Sequence, residues 1–170
     1  TTLTINLNQS DVTAGYTAGL FSGTIVGNIG LTKTGTGKFT LSGANTYTGP
    51  TNVNDGVLEL LSTGATNVAA TLITVAPTAA LRITGNGSNA VMSGSLAGTG
   101  PVFIYPNQFG AAGQRDVTLN GTNTAYAGTL TLGSTDSTVA AAGTARIQAS
   151  NPTQLGGANI IVQDRGQLFF

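Results

Sequence analysis

Residues 38–60 read KFTLSGANTYTGPTNVNDGVLEL, and this stretch decides the fold class. It begins and ends with apolar–polar–apolar triplets, FTL at residues 39–41 and LEL at residues 58–60, and a third triplet, LRI, follows at residues 81–83. Each triplet has the alternation of a strand that buries one face. Turns rich in Gly and Asn separate the triplets, and their spacing of about 20 residues is typical of stacked-coil architectures. The stretch therefore predicts successive coils of a β-solenoid.

Stacking the coils predicts which side chains become neighbours. The predicted register has two inward columns and one outward column: Phe39, Leu58 and Leu81; Leu41, Leu60 and Ile83; and Thr40, Glu59 and Arg82. Coils lie ~4.8 Å apart, so Glu59 and Arg82 are expected to form a pair on the outer surface. An exposed ion pair of this kind contributes about 0–1 kcal/mol, and it therefore reports on register more than on stability.

The rest of the chain repeats the same signals. Alternating runs recur, as in TLTINLN at residues 2–8, and helical heptads are absent. The predicted fold is all-β, a right-handed parallel β-solenoid of roughly seven or eight coils that forms one domain over residues 1–170. Two larger copies are also visible, because FSGTIVG at residue 21 resembles MSGSLAG at residue 92, and LSGANTYTG at residue 41 resembles LNGTNTAYAG at residue 119. We divide the domain into a partial unit, 1–19, and repeat units 20–85 and 91–170.

Composition excludes several classes of function. Charged residues make up 7% of the chain, and six basic residues balance six acidic ones. Nucleic acid and anionic membrane surfaces require a surplus of Lys and Arg, so neither is an expected partner. The chain has no cysteine, which excludes disulfides and thiolate chemistry. It also lacks an apolar run of ~18 residues, so we expect no membrane insertion by this segment.

The sequence offers little catalytic chemistry. Histidine is absent, which removes the usual neutral-pH base and His-ligated zinc. The six acidic residues form no calcium-loop pattern, and Asp55 within the tripeptide NDG is predicted to form a turn. We therefore assign no catalytic, cofactor-binding or metal-binding residue, and expect no cofactor. A carbohydrate-active enzyme remains the least favoured class, because carboxylates on different coils can meet in β-helical hydrolases and lyases.

Residues 35–60, GTGKFTLSGANTYTGPTNVNDGVLEL, resemble the passenger-associated transport repeat of autotransporters. That family's pattern runs Gly-x-Gly-x-Leu-Thr-Leu-x-Gly-x-Asn-Thr-Tyr-x-Gly-x-Thr-x-Val-x-x-Gly-x-Leu. The second copy, over residues 116–133, diverges from it because Ala125 precedes Tyr126. The resemblance implies a parallel β-helix, secretion, and a location outside the bacterial cell or on its surface. It implies no catalytic residues.

Two functions follow from these observations. The first is a non-enzymatic structural or adhesive module of a bacterial surface protein, with a cell-surface or glycan ligand as candidate partner. Neither end of the sequence has the features of a solenoid cap, which leaves two interpretations open. The chain is a piece of a longer solenoid with more coils on both sides, or it is a subunit of an extracellular fibre formed by end-to-end stacking or strand donation, which is the alternative function. The candidate self-association residues are Leu3, Ile5, Leu7, Leu168, Phe169 and Phe170. The candidate recognition loop interrupts the second copy and contains Tyr105, Asn107, Gln108 and Phe109.

Overall fold

The chain winds through three faces in turn and places a short strand on each face at nearly every pass. The computed structural model describes residues 1–8, 19–62, 67–69, 71–85, 90–105, 113–133, 143–148, 152–163 and 166–169. All strand pairs within these ranges are parallel. Because adjacent strands in a sheet come from successive passes, every backbone ladder joins one coil to the next.

Four sheets form these faces. The first sheet has the order β1 (Thr2–Asn6), β4 (Gly30–Thr34), β7 (Thr51–Val53), β10 (Ile73–Val75), β13 (Leu96–Gly98) and β16 (Ala125–Tyr126). The second has the order β2 (Gly19–Phe21), β5 (Lys38–Leu41), β8 (Gly56–Ser62), β11 (Ala79–Gly85), β14 (Val102–Tyr105), β17 (Thr129–Leu132) and β19 (Asn159–Val162). The third contains β9 (Asn67–Ala69), β12 (Ala90–Met92), β15 (Gly113–Leu119), β18 (Gly143–Gln148) and β20 (Gly166–Phe169). A two-stranded sheet joins β3 (Val26–Gly27) to β6 (Thr46–Tyr47), and a 3₁₀ helix, η1, spans Pro152–Leu155.

This topology confirms the parallel β-solenoid. Neighbours in a sheet are mostly three elements apart along the chain, which is what a coil with three faces requires. Counted over the described residues, the second sheet has seven strands, one for each coil along that face, in agreement with the expected number. Its inward side chains form one continuous apolar interior with those of the other sheets. Burial of this interior stabilises the fold, because no single coil could bury its own apolar face.

The predicted register is also confirmed. Strand β5 pairs with β8 so that Phe39 lies opposite Leu58 and Leu41 lies opposite Leu60. Strand β8 in turn pairs with β11, which continues both inward columns. The outward column follows the same register and runs through Thr40, Glu59 and Arg82. The three triplets identified in the sequence therefore lie on three adjacent strands of the second sheet, β5, β8 and β11.

The expected exposure of the outward column is wrong. Glu59 is only 4% exposed, and Thr40 is buried beside it. The prediction treated every outward position as solvated because the strand alternation gives only the direction of a side chain. In the folded chain, hydroxyl and cationic side chains on adjacent strands enclose the Glu59 carboxylate.

The turn predicted at Asp55 is confirmed. The Asp55 side chain accepts a hydrogen bond from the backbone N–H of Gly56 at 2.8 Å, and Gly56 has a φ of 64°. That conformation favours glycine, and a Cβ at this position would also collide with the backbone carbonyl of Gly35 on the preceding coil. Asp55 therefore shapes the corner that leads into β8.

The two similar stretches of sequence form similar corners on different faces. Asn45 accepts a hydrogen bond from the backbone N–H of Ile25 at 2.9 Å, and Asn123 accepts one from Leu96 at 2.6 Å. In both cases the asparagine ties its own coil to the preceding one. The first corner follows β5 of the second sheet, whereas the second follows β15 of the third sheet. The repeated sequence thus specifies a kind of corner and not a fixed position around the coil.

Candidate binding surfaces

A buried carboxylate organises the outer surface of the second sheet. Glu59 Oε2 accepts hydrogen bonds from Lys38 Nζ at 2.8 Å and from Thr40 Oγ1 at 2.9 Å. Its other oxygen, Oε1, accepts a hydrogen bond from Thr84 Oγ1 at 2.9 Å and lies 3.3 Å from Arg82 Nε. We call these five residues the Glu59 cluster. The Arg82 contact is an ion pair without hydrogen-bond geometry, because Arg82 Nε has no hydrogen-bond partner among the described residues.

The electrostatics of the cluster favour the ionised carboxylate. Burial by itself would raise the pKa of Glu59, since it removes water from the charged form. The hydrogen bond and charge of Lys38, the charge of Arg82 and the hydrogen bond from Thr40 together outweigh this effect and lower the pKa. Glu59 therefore remains negative at neutral pH and holds both cations against the sheet.

Arg82 connects this cluster to two aromatic rings. Its guanidinium carbon lies 4.2 Å from the centroid of the Tyr105 ring, which is cation–π geometry. The rings of Tyr105 and Phe103 are nearly parallel, with an interplanar angle of 7° and centroids 5.9 Å apart. We call Arg82, Phe103 and Tyr105 the cation–aromatic face. All three side chains are partly exposed, so the face presents flat apolar area beside a fixed positive charge.

Tyr105 is the only member of the predicted recognition loop within the described residues. It is the last residue of β14, and its ring belongs to the cation–aromatic face. Asn107, Gln108 and Phe109 lie outside the described residues, so their role stays a prediction. Arg82 was placed in the outward column by the sequence, but its contact with Tyr105 was not anticipated. The register pairs Thr84 with Tyr105, so Arg82, two residues earlier on the same side of β11, lies diagonally across from the Tyr105 ring. This register, had it been extended to β14, would have predicted the contact between Arg82 and Tyr105.

A buried lysine lies on the inward side of the first sheet and was missed by the sequence analysis. Lys33 Nζ donates hydrogen bonds to the backbone carbonyls of Thr34 at 2.5 Å and Gly35 at 2.6 Å, and a longer one to that of Asp55. Burial lowers the pKa of Lys33, and the charge of Asp55 partly opposes that shift. The alternation Leu31-Thr32-Lys33 would have indicated the inward direction. The lysine fixes two stacked corners and lies away from the cation–aromatic face.

The N-terminal end of the solenoid opens into an apolar cavity of about 230 Å³. We call it the apolar mouth, and it is lined by Leu3, Ile5, Phe21, Ile25, Phe39 and Leu41. Leu3 and Ile5 of the predicted self-association set are therefore brought together here. Leu7, the third member from this end, is half-buried and does not line the cavity.

The C-terminal end differs between faces. Over the first sheet, the turn after η1 covers the last strand, because Gly157 donates a hydrogen bond to the carbonyl of Tyr126 at 2.8 Å and Asn123 donates one to the carbonyl of Gln154. On this coil η1 and its turn take the place of a strand of the first sheet, which the sequence analysis did not predict. Over the second sheet β19 is the outermost strand, and Ile161 and Val162 are exposed.

The predicted self-association residues at this end are only partly described. Leu168 in β20 packs against the apolar interior. Phe169 belongs to the same strand, and Phe170 lies outside the described residues. The assignment of all three to an interface stays a prediction.

Neither a metal-ion site nor a membrane-spanning helix is found in the described part of the chain. No group of three acidic, His or Cys side chains suited to a metal ion occurs within the described ranges. The part of the chain that the structure describes contains no helix with the length and hydropathy that a membrane crossing requires.

Comparison with known proteins gives the family of the central stretch. The passenger-associated transport repeat matches residues 31–60, which include β5, β6 and β7 together with Lys33 and Glu59. The chain carries a passenger-associated transport repeat. Autotransporter passengers are extracellular, so a chain with this repeat is an extracellular, cell-surface segment. The resemblance seen in residues 35–60 is thereby confirmed.

A much longer relative supports the same assignment. The chain is 37% identical over 139 residues to the adhesin BmaC autotransporter of Brucella suis biovar 1 (strain 1330). The match covers 78% of this chain and 4% of that protein, so the repeat and its neighbouring coils correspond to a small part of the relative. No solved structure matches the chain significantly.

Proposed function

We propose that the chain is a non-enzymatic adhesive module of an extracellular surface protein and that the cation–aromatic face contacts the ligand. The observation that carries this proposal is the match of most of the chain to part of an autotransporter named as an adhesin. The solenoid supplies a rigid support, because its strands are fixed by ladders on both sides. The proposed role requires a surface ligand and no chemical reaction.

The chemistry of the face favours a carboxylate-bearing glycan as the ligand. Flat aromatic rings such as those of Phe103 and Tyr105 pack against the apolar faces of sugar rings. Arg82 adds a guanidinium with further N–H donors that match a carboxylate in geometry. Contact with Glu59 and Tyr105 orients this side chain in advance, which reduces the entropy lost on binding.

The test compares binding of the chain to immobilised hyaluronan, which carries uronate groups, and to neutral dextran. We expect the wild type to bind the acidic polymer, and we expect Arg82→Ala and Tyr105→Ala each to weaken that binding by about tenfold or more, in line with the loss of one interface anchor. Thr99→Ala is a matched control because Thr99 is exposed and belongs to another turn. Equal binding by the wild type and both variants would refute the assignment of this face.

The same incubations test the non-enzymatic part of the proposal. The length of the polysaccharide is expected to stay constant during prolonged incubation. Depolymerisation by the wild type would instead support the carbohydrate-active alternative, and variants of two of the six acidic residues of the sequence, Asp55 and Asp136, would then be compared for turnover.

A second candidate function is end-to-end assembly into an extracellular fibre. The observation in its favour is that apolar side chains are exposed on β2 and β19, the first and last strands of the second sheet among the described residues. Sheet edges without charged or otherwise protective residues tend to pair with other chains. Electron microscopy of the purified chain tests this function, and dispersed monomers at high concentration would refute it.

A further inference from the structure

The described strands of the second sheet carry three charged side chains, and all three belong to the Glu59 cluster. They are Lys38, Glu59 and Arg82, so the outer surface of these strands has one net positive charge. Glu59 lies between the two cations, because its carboxylate is 2.8 Å from Lys38 Nζ and 3.3 Å from Arg82 Nε. A ligand therefore meets two cations whose charge is half cancelled by a buried anion.

Both cations keep N–H donors that a ligand can use. Among the described residues, Lys38 donates one hydrogen bond, to Glu59, although an ammonium group has three donors. Arg82 Nε has no hydrogen-bond partner in the same part of the chain, and a guanidinium has four further N–H groups. The side chains of Lys38 and Arg82 are 36% and 21% exposed, so both can be reached from solution.

The positions of the two cations allow them to share one ligand carboxylate. Lys38 belongs to β5 and Arg82 to β11, on either side of β8, and both side chains turn towards Glu59. A carboxylate has two oxygens that each accept hydrogen bonds, so one oxygen can bind Lys38 while the other binds Arg82. A single ligand carboxylate would also neutralise the net charge of this surface.

The surface next to the cations suits neutral sugars. Val57 and Ala80 occupy the positions level with Lys38 on the next two strands, and both side chains are short and half-buried. On β14, the rings of Phe103 and Tyr105 add apolar area. A second ligand anion over these residues would lose water without meeting an unbalanced cation. Additional charge on the ligand is therefore unfavourable here.

We propose that Lys38 and Arg82 bind one carboxylate between them and that Glu59 makes this surface specific for glycans with isolated carboxylates. The ligand class is a linear polysaccharide in which uronates alternate with neutral sugars, and densely sulfated polymers are disfavoured. Glu59 acts through the two cations and does not contact the ligand. This inference rests on the adhesive function proposed above, adds Lys38 to its site, and specifies the charge pattern of its ligand.

Binding of the chain to hyaluronan and to heparin tests the charge pattern. Hyaluronan has one carboxylate in each disaccharide, whereas heparin carries several sulfates in addition. We expect the wild type to bind hyaluronan more tightly than heparin by about fivefold or more at physiological ionic strength. Glu59→Gln is expected to shift the ratio of the two affinities by about fivefold or more towards heparin, because the local charge rises from one to two. A general loss of folded protein would weaken both interactions alike, and circular dichroism shows whether the variant is folded.

Variants of Lys38 test the shared carboxylate while Glu59 stays in place. Lys38→Met removes the ammonium and keeps an apolar side chain of similar length, so we expect it to weaken hyaluronan binding by about threefold or more. Lys38→Arg keeps the charge and the donors and is expected to restore most of the binding. Thr99→Ala is the matched control, because Thr99 is exposed and lies outside the second sheet.

The outcomes separate this inference from the adhesive function. Hyaluronan binding that falls in Arg82→Ala and is unchanged in Lys38→Met would overturn the shared carboxylate and leave the adhesive function standing. Equal or tighter binding of heparin by the wild type, or an unchanged ratio in folded Glu59→Gln, would overturn the role of Glu59. Tighter binding of a glycan that ends in sialic acid would overturn the alternating uronate polymer as the ligand. A wild type that binds none of these glycans would overturn both the inference and the function on which it rests.

Discussion

Replacement of Glu59 by glutamine tests how the outer surface of the second sheet is stabilised. The substitution preserves the size of the side chain and removes its charge. In the wild type the carboxylate accepts hydrogen bonds from Lys38, Thr40 and Thr84 and lies beside Arg82. Glutamine offers one acceptor oxygen and an amide group that can only donate, so the donors on one side of the cluster lose their acceptor.

The expected loss follows from these contacts. A hydrogen bond to a charged group contributes about 1.5–3 kcal/mol, and a buried donor left without an acceptor costs about 1–3 kcal/mol. Thr40 and Thr84 are buried and cannot turn to water, whereas the side chain of Lys38 is 36% exposed and can be rehydrated. We expect glutamine to keep the hydrogen bond from one threonine hydroxyl, to lose the other, and to attract the two cations less strongly. Together these changes lower the free energy of unfolding by about 3 kcal/mol. Urea unfolding followed by circular dichroism at pH 7 measures this difference.

The pH dependence provides an independent check. The pKa of Glu59 is lowered in the folded state, so its ionised form stabilises the fold above the unfolded value of 4.5. That contribution is lost as the pH falls from about 4.5 through the lower pKa of the folded state. We therefore expect the difference in unfolding free energy between the wild type and Glu59→Gln to be constant near neutrality and to shrink below about pH 4.5.

A double-mutant cycle with Lys38→Met separates the lysine contact from the rest of the cluster. We expect a coupling of about 1 kcal/mol between the two positions, because one partner is partly exposed. A loss below about 0.5 kcal/mol for Glu59→Gln, which is typical of ordinary surface sites, would refute the reasoning. The reasoning would also be refuted if the difference in unfolding free energy between Glu59→Gln and the wild type were the same at pH 7 and pH 3.

Three further changes probe the interior and the corners. Leu81→Ala is expected to lower the unfolding free energy by about 2–5 kcal/mol because Leu81 is fully buried. Leu20→Ala is expected to change it by less than about 0.5 kcal/mol because the Leu20 side chain is exposed. Urea unfolding measures both differences. Gly98→Ala is expected to lower the midpoint of thermal unfolding, because Gly98 has a φ of 93° and a Cβ there would meet the backbone carbonyl of Val75; an unchanged midpoint would contradict this. Burial raises the pKa of Tyr126 to about 12, so ultraviolet titration of the folded chain is expected to show a phenol that ionises above the ordinary tyrosine value of 10.0 and that Tyr126→Phe removes.

The sequence could predict the register because two independent signals agree there. Alternation within residues 58–60 gives the direction of each side chain, and the spacing to residues 81–83 gives the neighbour on the next coil. The structure pairs Leu58 with Leu81 and Leu60 with Ile83, as this reasoning requires. Turn chemistry adds a third signal, since the Asp55-Gly56 corner fixes the start of β8.

Burial on the outer surface could not be predicted in the same way. Alternation places Glu59 and Arg82 outward, but exposure depends on the reach and hydrogen bonding of side chains on other strands. Thr84 completes the cluster although it lies one position beyond the recognised triplet. The interior Lys33 is a related case, because its burial depends on the carbonyl groups of two stacked corners. Both sites hold a charge whose partners come from coils about 20 residues apart.

The polar groups of the matched repeat explain why so few charges suffice in this fold. Three polar side chains within residues 31–60 make contacts between coils. Asn45 ties its corner to the previous coil, and Lys33 binds the backbone carbonyl groups of two stacked corners. Glu59 joins three neighbouring strands through its hydrogen bonds with Thr40 and Thr84. Each group therefore acts between coils, where backbone ladders alone would leave the corners and the outer surface unsupported. Asn123 repeats the first of these contacts on a different face, beyond the matched residues. A solenoid can thus be extended with corners of this kind while most of its surface remains uncharged.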